Sequence, residues 1–263
     1  MIDIHTHVLP QVDDGPGTWE ESMALLQQGE EDGIRGAVCT SHVLDRLDER
    51  VEAELTEKYE TLKRMARKKG LKMSLWLGSE IHTNAQFNLR SKVATLNGNG
   101  KYILIELPMG DIPKDVEDKF FHIRIEGVYP ILAHPERNSR ILQNPQKAFQ
   151  FVQKGVYLQL NAGSILGKFG KRVKRLAHEM LEHQMVHFVA SDCHAPNNRS
   201  MVLSHAYEVV DRGWGTETAE RLFRLNPYKA VIGEDIIAFP SLPFEAGKRK
   251  SVNLFGFQLF KNR

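Results

Sequence analysis

Only two cysteines, Cys39 and Cys193, occur in 263 residues, too few for a disulfide scaffold or a four-cysteine zinc module. No apolar run approaches the roughly 18 residues needed to span a bilayer. The chain opens Met1-Ile2-Asp3-Ile4-His5-Thr6-His7, with neither the basic nor the apolar segment of a secretory leader. A surplus of one charge is lacking too, since 35 Lys and Arg face 33 Asp and Glu for a formal net charge of +2. A global grip on nucleic acid is therefore not expected. Together these absences make a cytoplasmic protein without a transmembrane segment the default.

What is present suits a globular α/β domain. Hydrophobic residues make up 41% and charged residues 26%, enough for a core and too balanced for bulk disorder. Seven β-rich runs stand out: Ile2–His5, Gly36–Thr40, Met73–Glu80, Tyr102–Leu107, Val128–His134, Val156–Asn161 and His187–Asp192. They recur every ~25–35 residues, the spacing of successive βα units. Tyr102-Ile103-Leu104-Ile105 is apolar throughout, as burial on both faces of a parallel sheet requires. Between the runs lie helical patterns. Thr18 and Glu21 form a capping box ahead of Trp19, Met23 and Leu26. Leu47, Val51, Leu55, Tyr59 and Leu62 make one stripe, which ends in a basic turn suited to the negative end of the helix dipole. Asn144-Pro145 starts a further helix and Gly155 stops it. The length suits one closed barrel of about 250 residues, although an open doubly wound sheet has the same rhythm. The expectation is a distorted (β/α) barrel of about seven parallel strands over residues 1–240, followed by a tail over 241–263.

The strand ends are unusually polar. The first run ends in His5-Thr6-His7, the second in Thr40-Ser41-His42 and the third in Gly78-Ser79-Glu80. The fourth carries Glu106, the fifth ends in His134-Pro135-Glu136-Arg137, and the seventh in Ser191-Asp192-Cys193-His194. Only the sixth, ending in Asn161-Ala162-Gly163, lacks a strong ligand. In a parallel barrel all strand C-termini open on one face. A single histidine at such a place reads most simply as a rim residue. Six strand ends that deliver imidazoles and carboxylates to one volume would leave charges uncompensated, and metal cations resolve that conflict. His5 and His7, at i and i+2 of a strand, point to the same side and can reach one ion. His82, His122, His178, His183, His187 and His205 fall elsewhere and read as surface or structural, with His82 the nearest to the cluster.

These residues resemble the polymerase-and-histidinol-phosphatase (PHP) superfamily, and most closely its bacterial CpsB/CapC/YwqE-type protein-tyrosine phosphatases. The likeness covers roughly residues 1 to 235. It rests on the opening Met-Ile-Asp-Ile-His-Thr-His with Asp13-Asp14-Gly15, on His134-Pro135-Glu136-Arg137 and on Ser191-Asp192-Cys193-His194. The resemblance implies a PHP-type distorted barrel with three divalent ions, usually manganese (Mn2+). It implies a first ion on His5, His7, Glu80 and Asp192, and a second shared by Glu80, Glu106 and His134. A third would lie on Asp14, His42 and His194; the choice of Asp14 over Asp13 comes from the family pattern alone. Arg137 and Arg199 map onto two phosphate-binding arginines. The chain departs from the family at Val43, where many members have a second histidine, at Asn138, often aromatic, and at Cys193, commonly alanine.

The residue types fit that chemistry. Mixed imidazole and carboxylate ligands suit manganese, iron or zinc alike. Four carboxylates without cations would repel a phosphate dianion, whereas three divalent ions and two guanidiniums reverse the sign. The expected reaction is attack of a metal-activated hydroxide on a phosphotyrosyl phosphorus. The resemblance implies as partner a phosphotyrosine protein, a membrane-linked bacterial tyrosine kinase in control of capsule or exopolysaccharide synthesis. Recruitment to the inner membrane face would then come through that substrate. A homo-oligomer is compatible with the sequence.

Three other readings compete. Cys193 to Arg199 matches the C-x5-R pattern of cysteine-dependent phosphatases, but the stretch has no glycine and contains Pro196, and Asp192 opposes a thiolate. Other PHP enzymes hydrolyse histidinol phosphate, nucleotides or nucleic acid, and Lys168, Lys171, Arg172, Lys174 and Arg175 form a basic segment that an anionic polymer could meet. A non-catalytic, metal-stabilised scaffold for a kinase is the third. The tail carries Lys248-Arg249-Lys250 before Val252, Leu254, Phe255 and Phe257 and is assigned no function.

Overall fold

A computed structural model describes residues 1–244 of the chain. The basic and apolar stretch expected in the tail lies outside these residues. Nine strands run through the described part: β1 (Ile2–Thr6), β2 (Gly36–Cys39), β3 (His42–Val43), β4 (Ser74–Leu77), β5 (Glu80–His82), β6 (Tyr102–Glu106), β7 (Tyr129–Ala133), β8 (Tyr157–Asn161) and β9 (Phe188–Ala190). Ten α-helices accompany them: α1 (Trp19–Glu31), α2 (Glu49–Lys68), α3 (Val116–Ile125), α4 (Ser139–Gln143), α5 (Gln146–Gln153), α6 (Ala162–Leu166), α7 (Lys171–Glu182), α8 (Ser204–Trp214), α9 (Thr216–Glu220) and α10 (Asn226–Ile232).

All strand pairs are parallel, and they form two sheets in the orders β1-β2-β4 and β3-β5-β6-β7-β8-β9. The expected seven-stranded closed barrel is corrected on this point, because there are nine strands and neither sheet closes on itself. The cause is local. The third expected strand breaks at Gly78-Ser79, and past the end of the second the chain resumes as a further strand after Thr40-Ser41, each continuation lying in the other sheet. The two sheets touch at their β1 and β9 edges. There Thr6 bridges to Cys193, the His7 N–H donates to Cys193 O at 2.9 Å, and the Asp192 N–H donates to His5 O at 3.0 Å.

Side-chain alternation sorts the strands into two faces. Ile4, Val38, Tyr102, Leu104, Ile131, Ala133, Phe188 and Ala190, drawn from both sheets, share one apolar cluster with Ala230 and Val231 of α10. Ala37, Cys39, Ile103, Ile105, Leu132, Leu158 and Val189 belong to the larger cluster, which includes the buried faces of the helices. Glu106 follows Tyr102 and Leu104 in period two, so β6 carries a carboxylate in line with the first cluster. The register of β1 against β2 shifts between Asp3 and Thr6. Such a bulge re-aims side chains, and it falls at His5, which belongs to neither apolar cluster.

The helix signals read from sequence hold in outline. Thr18 Oγ1 accepts the Glu21 N–H at 3.2 Å and caps α1, although the Glu21 carboxylate turns to the Gly17 N–H at 2.7 Å. Leu55, Tyr59 and Leu62 form the buried stripe of α2. None of the helices in the described residues is long and apolar enough to cross a membrane.

Candidate metal centre

The nine predicted ligands, though spread from residue 5 to residue 194, lie together at one end of the two sheets, where β1, β2, β4, β6, β7 and β9 finish. Glu80, at the start of β5, is fully buried and stands at the middle. Its Oε2 lies 3.1 Å from His5 Nε2, 3.2 Å from His7 Nε2 and 3.0 Å from His42 Nδ1, while Oε1 lies 3.1 Å from His134 Nε2. Glu106 Oε1 is 3.6 Å from His134 Nε2. Asp14 Oδ1 lies 3.1 Å from His194 Nε2 and 3.5 Å from His42 Nε2. Asp192 Oδ1 is 3.5 Å from both His5 Nε2 and His7 Nε2.

Among the described residues, four groups each bring their donor atoms within 4.8 Å of one another: His7, Asp14, His42 and His194; His5, His134 and Asp192; His5, His7 and Glu80; and His42, Glu80 and Glu106. The expected third-ion set appears whole, with His7 added. The expected first-ion and second-ion sets both divide, because Asp192 and His134 group with His5, and His42 stands in place of His134 beside Glu80 and Glu106. Asp14 is 65% exposed, so this end of the centre opens to solvent, while His5, His7 and Glu80 are closed off.

Backbone strain places two of the predicted ligands. His134 has φ 30° and Asp192 has φ 53°, both left-handed values that side chains other than glycine rarely adopt. Each follows the end of its strand, β7 or β9, and the reversal swings the side chain into the cluster. Strain of this kind costs on the order of 1–3 kcal/mol per residue and gathers at functional sites.

The electrostatics show what the cluster needs. Burial disfavours charge on His5, His7 and His42, yet the neighbouring Glu80 more than offsets it and all three pKa values rise, His7 to about 10 with the help of Asp13. Burial also opposes ionisation of Glu80, but the surrounding imidazoles hold its carboxyl well below the usual range. Glu106 moves the other way, raised by burial and then by the charge of Glu80. His194 falls to about 4 through burial and the neighbouring His7. Both Glu80 oxygens, His42 Nδ1 and His194 Nε2 are buried without a hydrogen-bond partner of proper geometry. Lone-pair donors crowded at ~3 Å with orphaned oxygens are the donor set of a cation site, so the residues fit divalent metal.

Sequence reasoning missed three groups that set the geometry. Asp13 takes His7 Nδ1 at 2.8 Å and the His42 N–H at 3.0 Å. Gln159 Oε1 takes His5 Nδ1 at 2.8 Å, and its Nε2 donates to Asn161 Oδ1 at 2.9 Å. Asn161 Nδ2 then donates to Asp192 Oδ2 at 2.6 Å. The strand that lacked a ligand thus supplies the orienting amides, and their period-two spacing on β8 was the available signal.

Arg137 and Arg199 both reach the centre. Arg137 Nη1 lies 2.9 Å and Arg199 Nη2 2.5 Å from Asp192 Oδ2. Cys193 is fully buried, and burial, then the charge of Asp3, push its thiol well above the usual range. The amides of His194 and Ala195, which a C-x5-R loop would turn toward phosphate, donate instead to Arg199 O at 2.8 and 3.3 Å. His82 joins none of the donor groups, and His187 is buried in the fold with its Nδ1 accepting the Leu158 N–H at 3.2 Å.

A family model described as capsular polysaccharide synthesis, CpsB/CapC, matches residues 1–232. The chain belongs to the CpsB/CapC family. It is 32% identical over 260 residues to the tyrosine-protein phosphatase YwqE of Bacillus subtilis, covering 98% of this chain and 100% of that one. It is 34% identical over 234 residues to the tyrosine-protein phosphatase CpsB of Streptococcus agalactiae, covering 86% and 96%. A crystal structure from work on YwqE of Bacillus subtilis and CpsB of Streptococcus pneumoniae, described as unique metal-dependent tyrosine phosphatases, superposes with a TM-score of 0.84 at 30% identity, covering 93% of this chain and 100% of that one. A phosphotriesterase homology protein from Escherichia coli shares the fold at a TM-score of 0.54 and 10% identity, covering 88% of this chain and 98% of that one.

Proposed function

We propose that this CpsB/CapC member is a metal-dependent protein-tyrosine phosphatase on a PHP-type fold of two parallel sheets that meet at the Thr6–Cys193 bridge. The observation that carries the reading is the clustering of nine His, Asp and Glu side chains about the buried Glu80, with Arg137 and Arg199 both held on Asp192 Oδ2 at its side. The YwqE and CpsB relatives add the substrate class, and the family's link to capsular polysaccharide synthesis adds the setting. A membrane-linked bacterial tyrosine kinase is the proposed phosphoprotein, and manganese the proposed metal.

His5, His7, Glu80 and Asp192 would hold one ion, Glu80, Glu106 and His134 a second, and Asp14, His42 and His194 a third, with His7 placed to contribute to the last. When bound, divalent cations supply Lewis acidity, lower the pKa of a bound water and neutralise phosphate charge. The rest falls to the chain. Arg137 and Arg199 bind the equatorial phosphate oxygens by charge-assisted hydrogen bonds, in which two guanidiniums spread the developing charge. Asp192 Oδ2 aims both of them. Asp13 and Gln159 fix the tautomers of His7 and His5, so that each Nε2 keeps a lone pair for the centre. The leaving phenolate has a pKa of about 10, so a dedicated general acid is not required.

The test is a panel of a phosphotyrosine peptide, a phosphoserine peptide, histidinol phosphate and RNA, offered to the metal-replete protein. The phosphotyrosine peptide should give the highest kcat/KM, chelation should abolish turnover and manganese should restore it. Turnover that survives chelation, or a phosphotyrosine rate no better than the others, refutes the assignment.

A further inference from the structure

The guanidinium of Arg137 sits 4.3 Å over the ring centroid of Phe169. Phe169 lies in the short link between α6 and α7 and is half-buried. The edge of its ring presses on Gly163, where an added Cβ would come within 2.9 Å of Phe169 Cε2. A side chain at 163 would push the ring off its seat, so glycine is there for space. α6 starts directly after Asn161, the residue whose amide holds Asp192. One short segment therefore fixes both the carboxylate that aims Arg137 and the aromatic face against which Arg137 lies.

The geometry points to Phe169 as the residue that selects aryl over alkyl phosphate esters, through contact with the phenyl ring of the ester held on Arg137. The inference rests on the phosphatase reading and deepens it. Guanidiniums and cations grip the phosphoryl oxygens of every phosphate monoester alike, and they carry no information about the group beyond the ester oxygen. An aryl group starts at that oxygen, within reach of a side chain flanking the guanidinium. Aromatic pairs interact at centroid separations of about 4.5–7 Å, in offset or edge-on arrangements that a half-buried ring can offer. A phosphoserine presents a methylene there and forgoes the contact.

The test compares the metal-loaded wild-type protein with Phe169→Leu and Phe169→Tyr, each checked for unchanged metal content and circular dichroism. Two ratios are measured: kcat/KM for a phosphotyrosine peptide against its phosphoserine counterpart, and affinity for benzylphosphonate against ethylphosphonate. Phe169→Leu should lower both ratios roughly three- to tenfold, and Phe169→Tyr should preserve them. Ratios that stay constant in Phe169→Leu overturn the inference, whether both esters weaken together, which would mean that the ring only steadies Arg137, or neither changes. Failure of the phosphatase reading itself looks different, since the wild-type protein would then turn over neither ester, and the inference would fall with it.

Discussion

His7 Nδ1 lies 2.8 Å from Asp13 Oδ2, and the same oxygen receives the backbone N–H of His42 at 3.0 Å. An ionised carboxylate only accepts, so the hydrogen sits on His7 Nδ1 and Nε2 faces Glu80. One side chain thereby sets the tautomer of one proposed ligand and the backbone position of another.

Asp13→Asn should therefore weaken metal binding without removing a ligand. The amide keeps the shape but forfeits the charge and offers one acceptor where two oxygens act now. Loss of such an orienting partner commonly costs 10–100-fold in metal affinity. A manganese titration followed by calorimetry measures it, and wild-type affinity in this variant would show that Asp13 only shapes its loop.

Metal loading should release protons. His7 is pushed up to about 10, so at neutral pH it holds a proton that a cation must displace. Manganese affinity should accordingly rise with pH up to about that value. The same shift makes the metal-free fold lose stability as pH climbs. The His7 contribution is fully present below the ordinary histidine value of about 6.5 and is lost as pH passes through about 10. Thermal denaturation of metal-free protein across this window, with and without His7→Gln, checks the sign.

Much of this cluster was legible because imidazoles and carboxylates at strand ends announce themselves. His5-Thr6-His7 and Ser191-Asp192-Cys193-His194 place rare residue types at strand ends, and β6 was a continuous apolar run that could only be buried. Asp13 stood in a recognised motif and Gln159 two residues before Asn161 on one strand face, but a single sequence does not tell an orienting hydrogen-bond role from a ligand or a plain polar residue. The strand count failed for a related reason. Gly78-Ser79 lies inside an otherwise β-rich run and Thr40-Ser41 at the end of another, and only the pairing partners reveal that the chain changes sheets there. The left-handed backbone of His134 and Asp192 has no signature either, since glycine is the usual marker and neither position carries it.

His187 gives a prediction remote from the chemistry. Burial, then the charge of Arg221, depress its pKa to about 3. The unfolded chain takes up a proton near pH 6.5 that the folded chain refuses, so its stability contribution is present above that pH and is lost as pH falls toward 3. The stability difference between wild type and His187→Gln should shrink between pH 7 and pH 4, by at most about 1.4 kcal/mol per unit. Denaturant titrations at several pH values read it, and a constant difference would place the acid sensitivity elsewhere.

Cys193→Ser should leave turnover in the metal-replete protein nearly intact. The thiol is buried and held protonated, and the amides that would cradle a phosphate already bind Arg199 O. Serine keeps the volume of a small side chain between Asp192 and His194. A collapse of activity with full metal content would revive the thiolate mechanism.

Arg199→Ala separates phosphate binding from metal binding. Asp192 divides its two oxygens: Oδ1 faces His5 and His7, while Oδ2 gathers Arg137, Arg199 and Asn161. Removing Arg199 leaves Arg137 and Asn161 to hold Oδ2, so the carboxylate keeps its aim and metal content should stay at the wild-type level. On the proposed reading Arg137 alone would then meet the phosphate, and loss of one preorganised donor of this kind costs about 10²–10³ in kcat. Arg199→Lys should recover part of the rate, because an ammonium restores the charge without the paired donors of a guanidinium. Elemental analysis beside steady-state kinetics distinguishes the cases. If metal is lost in parallel with activity, Arg199 serves Asp192 and the cation site rather than the substrate.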